Sequence, residues 1–118
     1  MGNVVLIGMP GAGKSTIGVV CAKVLGLTFK DIDIEIQDRE KRLLQNIIDT
    51  EGLNGFLSIE EKTVLELSKK NTLIATGGSV VYSPKAMDHL KKEGVIVYLK
   101  LGLEEITKRL HNVTTRGI

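Results

Sequence analysis

Gly8-Met9-Pro10-Gly11-Ala12-Gly13-Lys14-Ser15 decides how this chain is read. The stretch fits G-x-x-x-x-G-K-[ST], the phosphate-binding P-loop. Before it runs Asn3-Val4-Val5-Leu6-Ile7, apolar and of strand length. After it, Thr16 to Leu25 is apolar enough and long enough for a buried helix. Strand, glycine loop and helix in that order turn a pattern into a mechanism. Glycines let backbone N–H groups curl around phosphate oxygens, and the helix directs its positive end at them. Lys14 would reach the β/γ-phosphates of a nucleotide, and the Ser15 hydroxyl would ligate Mg²⁺. The plainer alternative is a glycine-rich turn that merely joins two elements.

The 118 residues make one domain, of a size that buries a real core. Sixteen basic and fourteen acidic residues, spread along the chain, leave a net charge of +2. That balance gives no footprint for nucleic acid or for an anionic membrane. The single cysteine, Cys21, has no partner within the chain and reads as a small core residue in a reducing compartment. No apolar run approaches the roughly eighteen residues that cross a bilayer. Val4 to Ile7 leads straight into the loop, unlike a signal peptide. A cytoplasmic protein is the expectation.

Taken in order, strands and helices alternate, which points to α/β with a parallel sheet. The first strand covers 3–7 and the first helix about 14–25, closed by Gly26. A second strand follows at 28–31. Asp33 is placed to cap a helix over about 34–41. Helical patterns then cover 43–51 and 56–69, separated by a turn at Gly52-Leu53-Asn54-Gly55. A third strand, Leu73-Ile74-Ala75, ends in Thr76-Gly77-Gly78-Ser79. Ser83-Pro84 opens a helix to about residue 93, and Gly94 stops it. Val95 to Leu99 is the most strand-like run, and a last helix is expected over 104–110. In an open sheet of this kind ligands collect at the C-terminal ends of the strands. The P-loop, Asp31 to Asp33, Thr76 to Ser79 and the loop after Leu99 all fall there.

Phosphoryl transfer needs a carboxylate near Mg²⁺ and a group that orients the attacking hydroxyl. Asp31 and Asp33, two residues apart at a strand end, could supply both. Asp31 would hold the metal mostly through its waters, and Asp33 would accept a hydrogen bond from the acceptor hydroxyl. Equally, Asp33 only caps a helix and Asp31 is solvated. Gly77 and Gly78 let a ligand approach the backbone, or simply make a tight turn. Arg116 could close over the γ-phosphate from a lid, or be an ordinary surface arginine. Arg109 could stack on adenine, or sit at a helix C-terminus where positive charge is favourable. Glu60 and Glu61 read as a solvated helix face. His89 and His111 have no metal-like spacing and receive no role.

Taken together, these motifs resemble the shikimate kinase family, within the nucleoside monophosphate kinase-like P-loop fold. Gly8 to Thr16 matches the P-loop, and Asp31-Ile32-Asp33 matches the family's D-x-D. Gly55-Phe56-x-x-x-Glu60 resembles G-F-R-x-x-E, and Ala75-Thr76-Gly77-Gly78 resembles A-T-G-G-G. Arg116 falls where the R-P-L-L arginine of the lid is expected. The resemblance implies a three-layer fold on a central parallel sheet, and transfer of the γ-phosphate of ATP to the 3-hydroxyl of shikimate. It implies ATP and Mg²⁺ as cofactors, with Gly11, Ala12, Gly13, Lys14, Ser15, Thr16 and Arg109 on the nucleotide. Ser15 and Asp31 would then take the metal. Lys14, Asp33 and Arg116 would be catalytic, and Asp33, Gly77, Gly78 and position 57 would face shikimate. Neither nucleic acid nor membrane is an implied partner, and a monomer is expected for the full-length protein.

Three departures stand out. Leu57 occupies the position of the arginine that pairs with the substrate carboxylate, and leucine cannot form that pair. Ser79 replaces the third glycine and would narrow the acceptor pocket. Gly117 replaces the proline after the lid arginine and would loosen the lid. Residues 1–118 are thus expected to be a single P-loop kinase domain ending inside the lid, short of the last strand and helix. A catalytically impaired nucleotide-binding module, or a kinase for another small hydroxylated acceptor, are the alternatives these departures suggest.

Overall fold

The expected alternation is present in the computed structural model, which describes residues 2–8, 14–92 and 94–99, with Lys14 and Ser15 described by backbone alone. The elements are β1 (Asn3–Gly8), α1 (Lys14–Leu25), β2 (Thr28–Asp31), α2 (Ile32–Glu40), α3 (Leu44–Leu65), β3 (Thr72–Ala75), α4 (Pro84–Lys92) and β4 (Gly94–Leu99). A 3₁₀ turn, Val80–Tyr82, lies between β3 and α4. All pairings are parallel, in the order β2-β3-β1-β4.

The strand β1 is apolar on both sides because the sheet is covered on both faces. Val5 and Ile7 join Ile74 in a core with Ile32 and Ile36 of α2, Ile47, Phe56 and Val64 of α3, and Leu90 of α4. Leu6 and Leu73 point the other way and meet Ile17 and Ala22 of α1. Successive strand residues therefore feed two cores, and helix, sheet and helix make the three layers. Cys21 is half-buried against the second core.

Several boundaries differ from expectation, each for a local reason. The helix α2 starts at Ile32 rather than residue 34 because Asp31, not Asp33, is its N-cap. At its other end Lys41 takes φ 57° in the C-cap position. The turn expected over 52–55 shrinks to Gly52, whose φ of 76° and ψ of 176° break α3, while Leu53 to Gly55 are already helical. Only glycine enters that region without steric cost. Gly94, placed by the sequence only at the stop of α4, also opens β4, paired with Asn3. A Cβ on Gly94 would stand 2.9 Å from the Asn3 carbonyl oxygen.

The helix α1 is not buried all round. Val19, Val20, Val24 and Leu25 are exposed among the described residues, because α1 covers the sheet with one face only. Val95, Val97 and Tyr98 of β4 are exposed likewise, at the edge of the described sheet. Ser83 caps α4 as its position before Pro84 suggests, its Oγ accepting from the Ala86 N–H at 3.1 Å. The helix expected over 104–110 lies outside the described residues. Among those described, no helix is long and apolar enough to cross a membrane.

Candidate functional site

Parallel strands bring their C-terminal ends to one edge, and the register fixes what meets there. Asp31 pairs with Ala75, Ala75 with Leu6, and Leu6 with Val97. Gly8 ends β1 beside Leu99, with φ +153° and so little room that a Cβ would come within 2.3 Å of the Leu99 carbonyl oxygen. The helix α1 then begins at Lys14 and carries Thr16 exposed in its first turn. Gly11, Ala12 and Gly13 lie outside the described residues, as do Arg109, His111, Arg116 and Gly117.

Asp31 and Asp33 have different local duties. The Asp33 N–H donates to Asp31 Oδ1 at 2.9 Å, so Asp31 satisfies an open donor at the start of α2. The carboxylate of Asp33 instead reaches across to the loop after β3. That loop is anchored by Thr76, whose N–H and hydroxyl both donate to the Leu6 carbonyl, at 3.1 and 2.8 Å. Anchoring Thr76 fixes Gly77, and two carboxylates lie against it. A Cβ on Gly77 would stand 3.1 Å from Asp33 Oδ1 and 3.2 Å from Glu60 Oε2. Side chains of α2 and α3 thus lie close to this glycine. Gly78 follows in the turn that leads to Ser79.

The position of Glu60 corrects the expectation of a solvated face. It is only 2% exposed. The Ser79 hydroxyl donates to its two oxygens, at 2.9 and 3.0 Å. Burial pushes the Glu60 carboxyl above the usual carboxylate range; the Ser79 hydroxyl pulls it back, and the nearby Asp33 charge adds to the rise. Glu61 is engaged as well, accepting from the Ser83 hydroxyl at 2.5 Å. A signal for Glu60 was present. Phe56, Glu60, Thr63 and Val64 are all buried in α3, at spacings of four, seven and eight from the first. Those spacings define one helix face, and Glu60 lies in its middle. Thr76 carried no comparable signal, since its role depends on Leu6 of a distant strand.

Between α3 and the 3₁₀ turn lies a cleft of about 140 Å³, walled by Leu57, Glu60, Glu61, Ser79, Tyr82 and Ser83. Leu57 is half-buried and also packs on the main core. Among the described residues no three His, Cys, Asp or Glu side chains gather as a metal cluster. A water-rich Mg²⁺ site needs only one or two carboxylates, because Mg²⁺ keeps several waters, and Asp31 at its strand end could be one of them. His89 Nε2 lies 2.7 Å from the Leu67 carbonyl, a structural contact away from this edge.

A family model described as "Shikimate kinase" matches residues 10–118. The shikimate kinase of Legionella pneumophila (strain Corby) is 43% identical over 117 residues, covering 98% of this chain and 67% of that protein. That of Paracidovorax citrulli is 40% identical over 116 residues, covering 96% and 63%. Among solved structures, a shikimate kinase from Acinetobacter baumannii in complex with shikimate superposes with a TM-score of 0.83 at 34% identity, covering 99% of this chain and 66% of that one. A gluconokinase from Sinorhizobium meliloti, at 18% identity and a TM-score of 0.54, shares the fold alone. The chain spans about two thirds of the length of these shikimate kinases, between 63 and 67%.

Proposed function

The chain belongs to the shikimate kinase family, and from that premise we propose that it transfers the γ-phosphate of ATP to the 3-hydroxyl of shikimate, a step of aromatic amino-acid (chorismate) biosynthesis. The supporting observation is the convergence of Asp31, Asp33, Gly77 and Glu60 at the strand ends, beside a cleft and next to the first turn of α1.

In this reading the loop amides of Gly11, Ala12 and Gly13, with Lys14, Ser15 and Thr16, hold the phosphates. Ser15 and Asp31 hold Mg²⁺, Asp31 through water. A metal held by these residues would supply charge neutralisation for the transferring phosphoryl group. Asp33 accepts a hydrogen bond from the acceptor hydroxyl and aligns it for attack. Gly77 and Gly78 face the acceptor beside Leu57, with the carboxylates of Asp33 and Glu60 against Gly77. Arg109 stacks on adenine, and Arg116 neutralises developing charge. Little covalent chemistry is asked of the protein, so positioning and electrostatics carry the rate. The full-length protein works as a cytoplasmic monomer.

A coupled assay of ADP release tests this. Shikimate-dependent turnover that disappears on Lys14→Ala is the expected result; ATP binding without turnover on shikimate would overturn it. The cleft wall also favours a second reading, a kinase for another small hydroxylated acceptor, because Leu57 brings no cation to it. Turnover on such an acceptor and none on shikimate would select that reading.

A further inference from the structure

The loop between β3 and α4 forms one wall of the cleft, and the fold holds it from both ends. At its start Thr76 is fixed to the Leu6 carbonyl by two hydrogen bonds. The 3₁₀ turn that follows supports itself. The Tyr82 N–H donates to the Ser79 carbonyl at 3.0 Å, and the Ser83 N–H to the Val80 carbonyl at 3.1 Å. Val80 seats the turn on the main core. A turn closed by its own bonds moves as a unit, so its outside ties decide where it stands.

Those ties are two adjacent glutamates of α3. Glu60 takes the Ser79 hydroxyl, and Glu61 takes the Ser83 hydroxyl at 2.5 Å. Neighbours on a helix point about 100° apart, so Glu60 enters the core while Glu61 stays half-buried on the cleft wall. The Ser83 oxygen accepts in turn from the Ala86 N–H at 3.1 Å. Ala86 N–H, Ser83 O–H and the Glu61 carboxylate thus form a chain in which each bond polarises the next. Its last bond is short and charge-assisted. The cap alone would secure α4, and Ala86 and Leu90 pack its length on the core. The bond to Glu61 does something further: it fastens the first turn of α4 to α3.

We propose that the Glu61–Ser83 bond sets the width of the acceptor cleft, which makes both residues positioning residues for the acceptor. Leu57 and Glu61 stand on the α3 side, and Ser79 and Ser83 on the facing side, so the bond ties the two walls together at one end. Released from Glu61, the turn keeps its internal bonds and pivots on Val80, taking Ser83 away from α3. The inference rests on the acceptor reading given above and adds how the cleft is held at its working width.

Steady-state kinetics on the full-length protein, varying shikimate and ATP separately, test it. Glu61→Ala breaks the bond and leaves Ser83 capping α4. Ser83→Asp keeps a capping oxygen but brings no proton to Glu61 and repels it. Each should raise the KM for shikimate about tenfold, the scale of one hydrogen bond to a charged group. The KM for ATP and kcat should stay within about threefold of the parent. Glu61→Gln keeps an acceptor for the Ser83 hydroxyl and should return the shikimate KM to near the parent value. The double variant should be no worse than either single, since both remove the same bond. A shikimate KM unchanged in Glu61→Ala and Ser83→Asp, with or without a fall in Tm, would show a merely structural bond and overturn the inference. An equal rise in the KM for ATP would overturn it too. Glu61→Gln as impaired as Glu61→Ala would remove the bond as the cause. A parent that turns over no shikimate would overturn the acceptor reading, and this inference with it.

Discussion

The Asp33 N–H donates to Asp31 Oδ1 at 2.9 Å, and this one bond separates the duties of two carboxylates only two residues apart. Asp31 caps the start of α2, whereas the Asp33 carboxylate projects to Gly77. Asn caps a helix about as well as Asp, and Ala costs ~1 kcal/mol. Asp31→Asn should therefore unfold like the parent and Asp31→Ala about 1 kcal/mol more easily in urea titrations. Both should lose about 10–100-fold in kcat/KM if Asp31 meets Mg²⁺ through water, as proposed. An Asp31→Asn protein with full activity would remove Asp31 from the metal site.

Gly77 separates the carboxylates of Asp33 and Glu60, with 3.1 and 3.2 Å available to a new Cβ. Gly77→Ala must move one of them by a few tenths of an ångström. Small displacements of this size near reacting groups are costly, so kcat/KM should fall by about tenfold or more. Circular dichroism should show an intact fold.

The buried Glu60 makes stability depend on pH. Its carboxyl is held above the ordinary value of 4.5, chiefly by burial, with the Asp33 charge adding to the rise. A raised acid binds its proton more tightly folded than unfolded. Its contribution is therefore complete below pH 4.5 and is lost as pH climbs through the raised value. Glu60→Gln keeps an acceptor for the Ser79 hydroxyl and removes this titration. The unfolding free energy of Glu60→Gln relative to the parent should grow as pH rises from about 4 to about 7. A difference independent of pH would contradict the burial-driven shift.

Gly8 is the tightest point of the sheet edge. Its φ of +153° and the 2.3 Å between a Cβ and the Leu99 carbonyl oxygen leave no accommodation short of moving β4. Gly8→Ala should destabilise by about 3 kcal/mol or more, the range of backbone strain combined with lost packing. A thermal melt will show it as a large fall in Tm. A drop of only a degree or two would mean that the two strands separate easily here.

Leu57 is half-buried on the cleft wall, three residues before Glu60 on α3. Leu57→Arg places a guanidinium where it can pair with an acceptor carboxylate. Shikimate should then bind about tenfold tighter, equivalent to ~1.4 kcal/mol, and its methyl ester should not. Unchanged or weaker shikimate affinity by calorimetry would show that position 57 does not face the acceptor carboxylate.

How much of this was legible depends on how local the cause is. The strand β1, the start of α1 at Lys14, the stop at Gly26 and the Ser83-Pro84 opening of α4 all follow from neighbouring residues, and the structure places them as the sequence suggests. The sequence places the cap of α2 two residues too late, because Asp31 and Asp33 are both good caps. Only the backbone turn at Asp31, with φ −112° and ψ 120°, decides between them. Glu60 is a different case, since its spacing from Phe56 and Val64 marks a buried face while its neighbour Glu61 argues the other way. Adjacent glutamates suggest a wet surface, and the partner that makes burial tolerable, Ser79, is supplied by another part of the fold. The exposed valines of α1 were hidden too, since an apolar helix sequence does not say how many of its faces are covered.

The strand order β2-β3-β1-β4 has a consequence for how the protein is made. Of the described strands β1 leaves the ribosome first, and it sits between two that emerge much later, since Val4 pairs with both Leu73 and Val95. During synthesis β1 lacks both of these neighbours until β3, at Thr72–Ala75, has been translated. Such long-range pairing requires a large loop to close before any ladder bond forms, which slows folding. The C-terminal edge of the sheet is thus completed late, and the site proposed there has no folded form until β3 and β4 have arrived.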